Sequence, residues 1–213
     1  MLNVPLIIQP KNSRDCGIAG IAMLLKYYGK KTSFKEIKKD IPTDKVGTYA
    51  PQLGSYLIRK NFNVEIVTMH PALFTKKDKI MSQKEILARF KAMHKKSTSA
   101  QNKKVLKYFI EFMELGGKIK VKIPSKEDIT KEIKQKRPVC AVLTSNFLNG
   151  SKAGFNFHLN LVTGIDNKYV YVNDPLPDNR GGKNKHSISD FLYGIYASAH
   201  ADLDNACLIK VRN

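Results

Sequence analysis

The 213-residue chain contains no run of eighteen or more apolar residues, which excludes an apolar membrane-crossing helix. Its first residues, Met1-Leu2-Asn3-Val4-Pro5-Leu6-Ile7-Ile8, have no basic region and too short an apolar run for a secretory signal. A cytoplasmic location is the expectation. Cysteine is scarce: Cys16, Cys140 and Cys207 are an odd number, far apart, with no metal-ligand spacing. No disulfide framework, metal site or cofactor is expected from them. Arginine is scarce too, confined to Arg14, Arg59, Arg89, Arg137, Arg180 and Arg212. It is the side chain that reads phosphates and base edges in bidentate fashion, and no helix-turn-helix, zinc-finger or RNA-binding signature occurs. Nucleic acid is therefore the less favoured partner. Acidic residues number 18 against 37 basic ones, for a net charge of +19. An acidic peptide or protein substrate fits that charge, as do an anionic membrane surface, a nucleic acid, or a lysine-coated surface with no special partner.

What is present is concentrated in residues 9–29. From Gly17 onward, Ile18, Ile21, Ala22, Leu24 and Leu25 recur at three- and four-residue spacing, and Gly29 is a natural stop. This predicts a helix, and its small residues (Gly17, Ala19, Gly20, Ala22) predict that it lies central and buried. Asp15 is a candidate N-cap, which puts Cys16 at the helix N-terminus, where free N–H groups and the macrodipole favour a thiolate. That position suits a nucleophile, and it also suits a buried structural cysteine. Cys140 and Cys207 sit in apolar runs and read as small core residues on strands.

The remaining pattern predicts a helix over 32–39, with Ser33 and Glu36 as a capping box, a helix over 47–60 and a strand over 63–68. Residues 70–116 differ in character. Two amphipathic helices, over 82–93 and 103–115, form a helical insertion, lysine-rich outside, that serves as a lid, a partner-binding arm or structural filler. A strand over 118–123, a helix over 125–136 stopped by Pro138, and a buried strand over 139–144 follow. Then come a polar loop over 145–156, strands over 157–165 and 169–173, a long loop over 175–185, a helix over 187–196 and a closing strand over 205–211. Helices first and strands later predict one α+β domain over 1–213, its N-terminal helical part packed on an antiparallel sheet.

A thiol nucleophile needs a base, and the base needs an orienting group. His70, His94, His186 and His200 read as surface residues, whereas His158 opens an apolar strand. If Asp166-Asn167 is a two-residue turn, Ile165 pairs with Lys168 and His158 faces Pro175. Asp174 is then its neighbour across the ladder, where side chains lie roughly 4.5–5.5 Å apart. Asp166, the competing carboxylate, is about 26 Å along the strand. Gln9, on the segment entering the helix, is placed to donate an amide N–H, beside the Cys16 backbone N–H, to the oxygen of a tetrahedral intermediate.

Together, Gln9, Asp15-Cys16-Gly17-Ile18-Ala19, Met23-Leu24, Tyr28-Gly29, His158-Leu159-Asn160-Leu161-Val162-Thr163-Gly164 and Tyr171-Val172-Asn173-Asp174-Pro175 resemble cysteine peptidase family thirty-nine. Those are papain-like domains best known for cutting leader peptides after a double glycine in bacteriocin-exporting ABC transporters. The resemblance covers most of the chain outside 70–116. It implies a papain-like fold with Cys16 as nucleophile, His158 as general base, Asp174 as orienter and Gln9 in the oxyanion hole. The implied activity is thiol-dependent cleavage of an amide bond in a peptide or protein, with bacteriocin processing as the family's known setting. The Gln9-to-Cys16 spacing is closer to stand-alone relatives than to transporter-linked members, and no Gly-x-x-x-x-Gly-Lys-Ser/Thr motif is present. The same acyl-enzyme serves transpeptidation, deamidation or acyl transfer, so fold and triad do not choose between them. A catalytically idle lysine-rich module that binds protein or nucleic acid is the alternative of a different class.

Overall fold

A computed structural model describes residues 1–154 and 157–213. Helix α1 spans Cys16–Tyr27, and every residue from Cys16 to Leu25 is buried. The glycines allow this. A Cβ on Gly20 would lie 2.2 Å from Leu159 Cδ2, so only a hydrogen lets the helix seat on its neighbouring strand. Asp15 occupies the N-cap position without capping. Its carboxylate turns instead to Lys38 Nζ at 2.5 Å and Thr43 Oγ1 at 3.3 Å, tying the start of α1 to α2 (Phe34–Asp40). The predicted capping box of α2 is present, with the Glu36 N–H on Ser33 Oγ at 3.2 Å. Helix α3 (Ala50–Arg59) begins with the Ala50 N–H donated to the buried Asp204 Oδ2 at 2.7 Å.

Among the described residues seven strands form one sheet: β1 (Asn63–Thr68), β2 (Lys118–Val121), β3 (Val139–Leu143), β4 (His158–Ile165), β5 (Tyr169–Asp174), β6 (Gly182–Ser187) and β7 (Cys207–Arg212). Their spatial order is β2-β1-β7-β3-β4-β5-β6. All neighbours are antiparallel except β1 and β2, which are parallel. Parallel partners need a long crossover. Residues 70–116 supply it through α4 (Gln83–Lys96) and α5 (Ala100–Glu114). Phe90, Phe109 and Phe112 from these helices enter the same core as α1 and α3, so they fill space under the sheet rather than stand apart from it.

Strand alternation divides the apolar residues between two faces. Cys140, Val142, Leu161, Ile209 and Val211 face the helices α1 to α5. Val139, Ala141, Leu143, Val170 and Leu208 pack with Ile129 of α6 (Lys126–Lys134) and with Phe191 and Ile195 of α8 (Ile188–Ala197). Cys140 and Cys207 are unpaired core residues on strands, as their sequence context predicts. Helix α6 also brings acids to the sheet: Asp128 takes Lys210 Nζ at 2.9 Å, and the fully buried Glu132 takes Arg137 and Arg212 at 2.5 and 3.1 Å.

Two elements arise where the sequence predicts loops. Strand β6 is a polar edge strand, Lys183-Asn184-Lys185-His186, held by main-chain bonds to β5 and carrying no hydrophobic pattern to announce it. Helix α7 (Ser145–Leu148) is a single turn in the segment 145–156, part of which lies outside the described residues. Among the described residues no helix is long and apolar enough to cross a membrane.

The α1–β4 seat yields an expectation. A valine at position 20 drives methyl groups into Leu159, and overpacking of this kind costs about 1–3 kcal/mol. Gly20→Val is expected to lower the urea midpoint accordingly. An unchanged midpoint contradicts the close approach described here.

Candidate active site

His158 opens β4 and sits beside Leu143 of β3. The β4–β5 hairpin brings Asp174 to it by a different register from the simple one. The Asp166 N–H bonds the Tyr169 carbonyl at 3.0 Å, which makes Asn167-Lys168 the tip of the turn. Ile165 therefore pairs with Val170 rather than Lys168. A bulge between Val162 and Gly164 then returns part of the slip, so Val162 pairs with Val172. The bulge takes back half of the slip and leaves the strands one place from the simple register. His158 Nε2 lies 2.7 Å from Asp174 Oδ1, and both side chains are buried. The same oxygen accepts the Leu176 N–H at 3.0 Å, which fixes the carboxylate.

Cys16 lies next to the same imidazole, whose hydrogen bonding and charge act on its thiol. The backbone N–H groups of Leu159 and Gly17 also point at the sulfur. Burial alone raises a thiol's pKa. The hydrogen bond and charge of His158, with the two N–H groups, outweigh that, and the Cys16 pKa is lowered. Burial likewise pushes an imidazole down, yet Asp174 and Cys16 hold His158 up at about 10. Asp174, which burial alone would raise, is lowered chiefly by its hydrogen bond to His158. All three shifts run in the direction that favours the charged forms of the thiol, the imidazole and the carboxylate. The other two thiols behave oppositely, with Cys140 pushed up to about 12 by burial.

Cys16 and His158 open onto a cleft of about 430 Å³. Gln9 lines it too and is buried, its main-chain N–H tied to the Pro175 carbonyl at 2.8 Å. Its Nε2 donates to the Ser13 carbonyl at 2.8 Å, so one amide hydrogen is spent on shaping the loop and one is left. The other predicted polar neighbours divide. Asn160 is fully buried against Asp174, whereas Asn173 turns away and donates to the Val4 carbonyl at 3.1 Å. Of the remaining histidines, His70 departs from the surface reading. It is buried at the end of β1, its Nδ1 accepting the Ala72 N–H, and burial lowers its pKa.

Residues 1–201 match the sequence model of the Peptidase_C39 like family. The chain belongs to this family. A crystal structure described as a C39-like peptidase from Bacillus anthracis is similar to it at 16% identity and a TM-score of 0.57, over 99% of this chain and 95% of that one. The peptidase domain of Streptococcus ComA, described as a bifunctional ABC transporter involved in a quorum-sensing pathway, is 16% identical with a TM-score of 0.51, over 99% and 98% of the two chains. A double glycine motif protease from an AMS/PCAT transporter, solved with its leader peptide, is 17% identical over 100% and 94%, at a TM-score of 0.48. No curated protein matches the chain. The fold is the α+β papain-like fold of C39 peptidase domains.

Sequence reasoning about this C39-like chain missed the cleft walls. Arg14, Lys45 and Val46 form part of them, and Ser145, Asn146, Phe157, Leu176 and Arg180 the rest. Apart from Ser145 and Asn146, which open the single-turn α7, these residues come from connections between elements, where no periodicity marks a side chain as inward-facing. The one available signal was proximity in sequence: Arg14 lies just before Asp15-Cys16, and Phe157 just before His158.

The coupling of Cys16 to His158 is open to measurement by the pH dependence of iodoacetamide alkylation. In the wild-type protein Cys16 is expected to react with a midpoint below the ordinary thiol value of 9.0. His158→Ala leaves burial as the dominant influence, so the midpoint moves upward and the rate at neutral pH falls. Equal midpoints in the two proteins contradict the ion pair.

Proposed function

We propose that this C39-like protein is a cysteine peptidase in which Cys16, His158 and Asp174 form a catalytic triad and Gln9 completes an oxyanion hole. The observation that carries the reading is the buried 2.7 Å His158–Asp174 contact beside Cys16, with Cys16 and His158 both opening on one cleft. Membership of a peptidase family supports it.

The chemistry follows from the atoms in place. The Cys16 thiolate attacks the scissile carbonyl carbon, and the carbonyl oxygen takes the negative charge. The N–H of Cys16, a first-turn group with no intrahelical acceptor, and the second Nε2 hydrogen of Gln9 receive that oxygen. As the C–N bond breaks, the His158 imidazolium protonates the leaving amine, which leaves an acyl-enzyme and a neutral ring. His158 then removes a proton from water, whose oxygen attacks the thioester and releases the acid. Asp174 keeps the ring oriented through both steps and stabilises its charged form. The substrate is a peptide or protein segment laid across the cleft. The three unpaired thiols suit a reducing compartment, and a cytoplasmic site of action is part of the proposal.

The test is mass spectrometry of proteins co-expressed with the active form or with Cys16→Ala. Shortened products with new termini are expected only with the active form, and His158→Ala is expected to lower their yield about a hundredfold or more. Deamidated or acyl-joined products in place of shortened ones would move the reading to amide transfer on the same scaffold. Identical product sets from the active and Cys16→Ala forms would overturn it.

A further inference from the structure

The charges around the cleft are unequally matched. Four carboxylates on or beside the segments that form it are already engaged. Asp174 is held by His158, and Asp15 by Lys38. Asp178 is gripped by both arms of the Arg180 guanidinium. Asp44 accepts the Val46 and Gly47 N–H groups on one oxygen, and Tyr49 and Lys104 on the other. Arg180 on the cleft wall is therefore neutralised by its own loop. Arg14 and Lys45 also line the cleft and are exposed, and neither has an acidic partner among the described residues. Among the described residues no carboxylate is among the cleft-lining side chains.

The two free cations belong to one wall. A Cβ on Gly47 would lie 3.4 Å from the Arg14 carbonyl oxygen, so the loop carrying Lys45 abuts the segment carrying Arg14. That loop is held in shape by the Asp44 side chain, itself pinned by Lys104 of α5 at 2.8 Å. The cations are presented from a braced surface rather than a loose one. Their position along a bound peptide is bounded as well. Arg14 precedes Cys16 by two Cα steps, at most about 7.6 Å, which corresponds to about two residues of extended substrate, and the side chain extends the reach further.

We propose that Arg14 and Lys45 make this cleft selective for acidic peptides, by pairing with an Asp or Glu side chain within about three residues of the scissile bond. This rests on the peptidase reading above and goes beyond it by naming a substrate class and the residues that select it. The Coulomb attraction operates in a partly enclosed cleft, where it is screened less than on open surface. It also opposes basic segments, so selection comes from repulsion of the wrong partner as much as from attraction of the right one.

The test incubates the full-length chain with a proteome-derived peptide library and reads new termini by mass spectrometry. Asp and Glu are expected to be enriched within three residues of the cuts. For matched peptides that differ only in carrying glutamate or lysine there, the double reversal R14E/K45E is expected to lower the glutamate-to-lysine cutting ratio by about tenfold or more. Arg14→Gln and Lys45→Gln are expected to give smaller changes in the same direction, and added salt to weaken the wild-type preference. Both side chains are exposed, and thermal melting confirms that the variants fold. Cuts without acidic enrichment, or a ratio unmoved by the reversal, overturn this proposal and leave the peptidase reading standing. No cuts at all from protein whose Cys16 alkylates normally overturn both.

Discussion

A single imidazole, held between a sulfur and a carboxylate and shut away from water, sets the demands that the rest of the molecule meets. Burial alone pushes His158 toward its neutral form, and Asp174, 2.7 Å away, together with Cys16 favours the charged ring instead. Removing either partner leaves a desolvated charge with nothing to balance it, which is why buried ionic groups need nearly all of their bonding positions filled. Each member is accordingly anchored by backbone. The Leu176 N–H holds Asp174, and the Leu159 and Gly17 N–H groups face the sulfur. The three residues come from a helix and two strands, so the contact exists only if α1 seats closely on β4 and β4 pairs correctly with β5. Gly20 against Leu159 secures the first condition, and the bulged hairpin secures the second.

The parts of this arrangement that were legible in the chain are those written in local chemistry. A run of small and apolar residues behind Cys16 specifies a helix that must be buried whatever packs on it, and Ser33 with Glu36 specifies where the next one starts. The His158–Asp174 pair was legible for a less secure reason. The two-residue turn at Asp166-Asn167 was the wrong turn, and the bulge at Val162–Gly164 was invisible. The slips opposed each other, and a carboxylate near a strand end tolerates an error of one place. Asp15 was read as a cap because short acids cap helices, yet a lysine from α2 competes for it more strongly in the folded chain. Pairings set by partners remote in sequence were not legible at all. The parallel β1–β2 contact, the polar edge strand β6 and the burial of Glu132 depend on what arrives from elsewhere, not on their own composition.

The large positive charge also takes on a different meaning once the acids are located. Asp128 and Glu132 are spent on Lys210, Arg137 and Arg212 behind the sheet, and Asp44, Asp78 and Glu111 on Lys104, Arg89 and Arg59 around the helical crossover. Carboxylates in this chain mostly do internal work, binding one segment to another, while lysine is left over on the outside. The excess is thus less a coat of uniform purpose than the remainder after structural pairing, and its meaning has to be sought place by place.

The strand order carries one more implication. β7, formed by residues translated after the other six strands, lies between β1 and β3 and joins the β2-β1 ribbon to the β3-β4-β5-β6 meander. A nascent chain on the ribosome can therefore make its hairpins early, but it holds two unjoined half-sheets until that strand slides in between them. Long-range pairings of this type form slowly. Helix α1, first in the chain, seats on β4 of the second half-sheet, so the face it buries stays open until that later meander has been made.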